Sequence, residues 1–108
     1  MAAVNKKKTV HYTLTATQAD VVTLNAATDW VEIANRDTTA ANAIYYTVGS
    51  SANPPAVPAA AADDTFVLVG GGTQSRRHRV PGGRDAVIGI IAANNSPVSL
   101  MAVDGTAF

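Results

Sequence analysis

Cysteine is absent from the 108 residues, which removes disulfides and thiolate zinc sites and leaves the redox compartment open. Charge is scarce. Charged residues make up 15% of the chain, against about 25% in an ordinary globular domain. The eight basic and eight acidic residues cancel, and zero net charge gives no field for generic binding to nucleic acid or a membrane surface. Aromatic residues are 6% of the chain, and much of the 47% hydrophobic content is alanine. No apolar run approaches the roughly 18 residues that would span a bilayer. No segment holds a helical period.

What is present is short, alternating and β-branched. The stretch Asp29–Val48 carries the only Trp and two of the three Tyr. Its first run, Trp30-Val-Glu-Ile-Ala-Asn, places Val31, Ile33 and Asn35 on one face. Its second, Ala43-Ile-Tyr-Tyr-Thr-Val, places Ile44, Tyr46 and Val48 on one face. Val31, Ile33, Ile44, Tyr46 and Val48 are the expected core residues. The polar loop Asn35–Asn42 is longer than a two-residue turn, and the two runs read as a hairpin around it.

The same reading extends along the chain. Thr9–Thr15 turns Val10, Tyr12 and Leu14 to one side and Thr9, His11, Thr13 and Thr15 to the other. Asp20–Asn25 turns Val22 and Leu24 inward. Asp64–Gly70 is apolar on both faces (Phe66 and Leu68; Val67 and Val69) and is expected to be covered on both. Gln74–Val80 is a polar strand, Ala86–Ala92 the most buried one, and Val98–Val103 closes the set. Turn residues separate them: Ala16–Ala19, Gly70-Gly-Gly-Thr, Pro81-Gly-Gly and Asn94-Asn-Ser-Pro. Eight short strands without a helix predict one all-β domain over residues 1–108, an antiparallel sandwich of Greek-key or jelly-roll type. A chain of this size buries roughly 65% of its unfolded surface, enough for a core without staples.

Two segments fall outside the strands. Residues 1–8 read as an arm bearing Lys6, Lys7 and Lys8, either a solvated tail or a contact to an acidic neighbour or to packaged nucleic acid, for which three charges are few. No apolar stretch follows the lysines, so no signal peptide is read. Residues 49–63 form a long Pro/Ala loop in which Pro54, Pro55 and Pro58 favour extended chain. It reads as a crossover between sheets or as an arm on an adjacent subunit.

Catalytic signatures are missing. The two histidines, His11 and His78, have no partner at metal-ligand spacing, and His11 reads as a surface residue. Asp63-Asp64 lacks calcium-loop spacing. Gly70-Gly71-Gly72 opens no helix, so it is no phosphate loop. No serine sits in a nucleophile elbow. The chain reads as a non-enzyme without cofactor or metal. The sharpest electrostatic feature is Arg76-Arg77-His78-Arg79. On a strand, Arg76 and His78 face one side, Arg77 and Arg79 the other. Such a strand suits a charge-protected sheet edge or a surface for carboxylates of another protein. Nucleic acid is disfavoured, because no aromatic is interleaved for stacking.

Three pieces of the chain resemble small tailed-phage virion proteins of the capsid-decoration type. They are Asp20-Val-Val-Thr-Leu leading into Trp30-Val-Glu-Ile-Ala-Asn-Arg-Asp, Ala43-Ile-Tyr-Tyr-Thr-Val-Gly before a proline-containing loop, and Val87-Ile-Gly-Ile-Ile-Ala through Val98-Ser-Leu-Met-Ala-Val-Asp-Gly. The Pro/Ala loop and the basic strand depart from that pattern. The resemblance implies a sandwich that sits on a capsid in many symmetric copies within the virion, assembled in the host cytoplasm. Its partners would be the major capsid protein or other virion proteins, and a homotrimer is the expected oligomer. The contacts expected on this reading are Lys6, Lys7, Lys8, Pro54, Pro55, Pro58, Arg76, Arg77, Arg79 and the terminal Phe108. A minor tail, fibre or connector component, or a carbohydrate- or receptor-binding sandwich, is the alternative.

Overall fold

A computed structural model describes residues 9–24, 30–51, 55, 65–72, 74–80 and 85–103. Lys6, Lys7, Lys8, Pro54, Pro58, Asp63, Asp64, Arg84 and Phe108 lie outside the described residues; Pro55 is half-buried. Eight strands are present: β1 (Thr9–Thr13), β2 (Asp20–Leu24), β3 (Trp30–Asn35), β4 (Ile44–Ser50), β5 (Phe66–Leu68), β6 (Gln74–Arg79), β7 (Ala86–Ala92) and β8 (Pro97–Val103). They form two antiparallel four-stranded sheets, in the orders β1-β8-β3-β6 and β2-β7-β4-β5. That is the strand order of a jelly roll. Strands pair in nested fashion, β1 with β8, β2 with β7, β3 with β6 and β4 with β5. The pairs β3–β8 and β4–β7 complete the sheets.

The core lies between the sheets and follows the period-two pattern. Leu14, Leu24, Val31, Ile33, Ile44, Tyr46, Ile88, Ile90, Val98 and Leu100 have no exposed surface, and Val10, Tyr12, Val48 and Ala102 pack around them from the margins. All seven residues of β7 are buried, because β7 is an interior strand flanked by β2 and β4.

Three expectations are corrected. β3 and β4 are not a hairpin: they belong to different sheets, and the loop Asn35–Asn42 crosses between them. Two apolar-faced runs around a polar loop fit both arrangements, and only the pairing partners distinguish them. β5 is not covered on both faces. It is a three-residue edge strand whose Phe66, Val67 and Val69 are 43%, 45% and 51% exposed. The segment after Val48 is not all loop, since β4 continues to Ser50 along β7. β1 also ends at Thr13, although Leu14 stays in the core.

The turns after β1, β3, β5 and β7 gather at one end, and the last three share a buried polar network. Asn35, fully enclosed, donates through Nδ2 to the carbonyls of Asn42 and Leu68, both at 2.9 Å, and its Oδ1 accepts from the Asp37 N–H at 2.9 Å. The Asp37 carboxylate accepts from the Thr39 N–H at 2.9 Å, Asn42 Nδ2 at 2.9 Å and Ser96 Oγ at 3.1 Å. These donors, the Thr39 N–H first, hold its carboxyl below the usual carboxylate range. Gly70 passes beneath this loop, and a Cβ there would collide with the Thr39 carbonyl oxygen. Gly71 adopts φ +88° and donates its N–H to the Asp37 carbonyl at 2.8 Å, a left-handed conformation that suits glycine. A buried, satisfied network of this kind fixes one arrangement of three turns.

The strand ends adjoining residues 1–8, 25–29, 81–84 and 104–108, and those on either side of the Pro/Ala segment, all lie at the opposite end. The register shows this directly: Thr9 pairs with Met101, Trp30 with Val103 and Arg79, and Ala86 with Leu24 and Ser50.

Candidate interaction surface on the sandwich flanks

A sandwich of two open sheets has two flanks, where the edge strands of the facing sheets come together. One flank is β5 and β6; the other is β1 and β2.

β6 is an edge strand paired only with β3, the position the charged sequence Gln74–Arg79 suits. Residues directly opposite in an antiparallel pair share a face. Arg76 lies opposite Ile33 and His78 opposite Val31, so both are on the inner face. Arg77 lies opposite Glu32 and Arg79 opposite Trp30, on the outer face. The division of the four residues expected from alternation is the one observed. Arg77 Nε donates to Glu32 Oε1 at 2.8 Å. At this exposure the pair contributes only about 0–1 kcal/mol.

His78 turns inward and closes the flank. The Tyr46 hydroxyl, on β4 of the other sheet, lies 2.6 Å from His78 Nε2, so one hydrogen bond ties the two sheets. Phe66 on β5 stacks over the imidazole with ring centroids 4.4 Å apart, and the Tyr46 ring stands 5.5 Å from Phe66 and 5.3 Å from His78. Burial raises the Tyr46 pKa to about 12, against a smaller opposing pull from Arg76. Burial, then the Arg76 charge, lowers that of His78. At neutral pH both groups are therefore uncharged, and one hydrogen is shared between the phenol oxygen and Nε2, the donor being set by the imidazole tautomer. Phe66 itself stays 43% exposed, Val67 and Val69 stand bare beyond it on the outer face of their sheet, and Arg76, Arg77 and Arg79 are exposed on β6.

The β1/β2 flank is open. A cleft of about 370 Å³ lies there, lined by Val10, Tyr12, Asp20, Val21 and Val22. The Tyr12 hydroxyl is enclosed and has no hydrogen-bond partner. Its pKa is raised, by burial first and by the neighbouring Asp20 carboxylate second, but the two groups fall short of hydrogen-bonding geometry. An enclosed hydroxyl without a partner costs about 1–3 kcal/mol relative to a satisfied one. Val21, at the rim, is 51% exposed.

Of the contacts expected from sequence, Arg76, Arg77 and Arg79 are brought together on one edge; Pro55 sits apart from them in the chain, and the rest fall outside the described residues. The Tyr46–His78 bond, the Tyr12–Asp20 cleft and the Asn35–Asp37 network were not anticipated. Alternation put Tyr46 and Tyr12 on the core face, but which side chain faces each across the sheets depends on strand order. His11, expected at the surface, is exposed and bonds through Nδ1 to Ser99 Oγ at 2.6 Å. Among the described residues no three His, Cys, Asp or Glu side chains cluster as metal ligands, and no helix is long and apolar enough to cross a membrane.

Comparison with family models, with curated proteins and with solved structures finds no match to this chain. The architecture and the two flanks are what a functional reading has to stand on.

Proposed function

We propose that this chain is a structural protein of a tailed-phage particle, a capsid decoration protein that binds the outer shell in many copies. The observation that carries the reading is the β5/β6 flank, where half-exposed Phe66 stacks on His78 of the strand that bears exposed Arg76, Arg77 and Arg79, while Val67 and Val69 stand bare on the outer face of the adjoining sheet. Apolar side chains on an edge strand are a liability for a solitary protein and an asset for one that is meant to be covered. Arginine supplies the planar donors that fix such a contact to carboxylates. The jelly roll is an architecture of viral capsid domains, and also of lectins and cupins, so the fold supports the reading by analogy alone. The 15% charge content suits a surface largely packed against neighbours. The mechanism is cementing: a protein that binds the assembled shell and not its dissociated subunits stabilises the shell by mass action.

Quantitative mass spectrometry of purified particles tests the reading. Hundreds of copies per particle support it; a handful would indicate a fibre or connector, and none would remove it. Reversing Arg76, Arg77 and Arg79 to Glu should weaken shell binding by about tenfold or more, read as occupancy after gradient purification. Unchanged occupancy would remove the arginines from the contact.

A further inference from the structure

The two flanks end in unfinished chemistry of opposite sign. In the β1/β2 cleft, the Tyr12 hydroxyl is enclosed without a partner beside the Asp20 carboxylate, and Val10, Val21 and Val22 supply apolar walls. No cation lines it. On the β5/β6 flank, Arg76 stands exposed on the inner face of β6. Among the described residues it makes no hydrogen bond or ion pair. Arg77, by contrast, is already engaged with Glu32.

An arginine side chain fits what the cleft offers. Its methylene stem lies along apolar surface, and its guanidinium fork pairs with a carboxylate while keeping a further N–H for the phenol oxygen. Within one molecule the two features cannot meet, because β1/β2 and β5/β6 are opposite flanks of the same sandwich.

We propose that the cleft formed by Val10, Tyr12, Asp20, Val21 and Val22 is the socket for Arg76 of a second copy of this chain. Each copy then gives its β5/β6 flank to one neighbour and its β1/β2 flank to another. Such a head-to-tail contact closes into a ring when the rotation per copy permits, and otherwise runs on as a filament. Exposed Val21 on the socket side and the exposed part of Phe66, on the inner side of the plug flank, add apolar area around the charge pair, which is desolvated and strengthened as the contact closes. The proposal rests on the shell-protein reading and divides its arginines: Arg76, on the inner face of β6, serves the neighbouring copy, and Arg77 and Arg79, on the outer face, are left for the shell; it is tested on the isolated chain, so failure of the ring and failure of shell binding are read separately.

The test is sedimentation velocity on the full chain, with Asp20→Arg, Arg76→Asp and Tyr12→Phe variants checked for folding by circular dichroism. The wild type should sediment as an oligomer that weakens as salt screens the pair. Asp20→Arg and Arg76→Asp should each sediment as monomers. Mixed in equal amounts they should reassemble, because the intact Arg76 of the first meets the intact Asp20 of the second, and the two reversed residues meet each other. Tyr12→Phe should fold normally and associate several-fold more weakly. Should Asp20→Arg fail to fold, Asp20→Asn carries the test, with the same loss of association expected. A monomeric wild type, charge-reversed variants that assemble like the wild type, or a mixture that stays apart would each overturn the proposal.

Discussion

Tyr46 and Tyr12 occupy comparable places on opposite flanks of one sandwich, and they have opposite fates. Tyr46 is fully buried, its hydroxyl bonded across the sheets to His78 and its ring packed by Phe66. Tyr12 is half-buried, its hydroxyl enclosed but unbonded. Both rings come from the inner face of a strand, so the difference lies in what the facing edge provides. On the β5/β6 flank the facing strand delivers an imidazole; on the β1/β2 flank it delivers Asp20, whose charge helps raise the phenol pKa while the hydroxyl stays without a hydrogen-bond partner. One flank is finished by the chain itself. The other is left with an acceptor-rich opening.

The sharpest way to break this comparison is truncation. Tyr46→Ala should cost about 3–5 kcal/mol, as for other large aromatic core residues, whereas Tyr12→Ala should cost about 1–2 kcal/mol because less of it is buried. Urea denaturation measures both. Equal costs would mean that the two flanks are equally packed.

Removing the hydroxyls alone gives a smaller and more telling pair of effects. Tyr46→Phe should destabilise by about 1 kcal/mol, leaving His78 Nε2 without its partner. In the dissociated chain, at high salt, Tyr12→Phe should be neutral or stabilise by up to about 1 kcal/mol, since it deletes a polar group that has no partner within the molecule. Thermal melts of the two variants should therefore shift in opposite directions.

The smallest effect is in the pH profile. His78 has its pKa lowered in the fold, below the ordinary value of 6.5 that it takes in the unfolded chain. Between those two values the unfolded chain binds more protons than the folded one, so stability is full above pH 6.5 and declines as the pH falls through that window. His78→Gln, which keeps an acceptor for Tyr46, should flatten this decline. Asp37 acts separately and lower. Its depressed pKa contributes stability above the ordinary 3.8 that is lost only as the pH falls below it toward the folded value. Two acid transitions, one removed by His78→Gln and one left intact, should appear in stability measured against pH. A single transition untouched by the substitution would detach His78 from the linkage.

Much of the fold is legible in the sequence because alternation is a local property. The inward faces of β1, β2, β3, β4 and β8, the complete burial of β7 and the split of Arg76 and His78 from Arg77 and Arg79 all follow from period two. What is not legible is which strand lies beside which. Trp30–Asn35 and Ile44–Ser50 look like the arms of a hairpin, yet their partners are β6 and β8 for one and β5 and β7 for the other. The apolar faces of Phe66–Val69 suggest burial on both sides, but only position in the sheet decides that, and an edge leaves Val67 and Val69 bare. The flanks fail for the same reason. Tyr46 and His78 are 32 residues apart, and no local pattern brings them within hydrogen-bonding distance. The polar loop was recognisable as polar, but the enclosure of Asn35 arises from the convergence of three turns.

The nested pairing has a consequence for how the molecule comes into being. β8 lies between β1 and β3, so the strand near the end of the chain is the one that joins two strands near its beginning. While Pro97–Val103 is still unmade, β1 has no neighbour in its sheet and β3 has only β6. Contacts this distant along the chain make for slow, late folding, and a nascent chain carries the edges of β1 and β3 unpaired until β8 has been made. Deleting β8 would accordingly disband the whole first layer, not trim it, leaving a product that aggregates or is degraded.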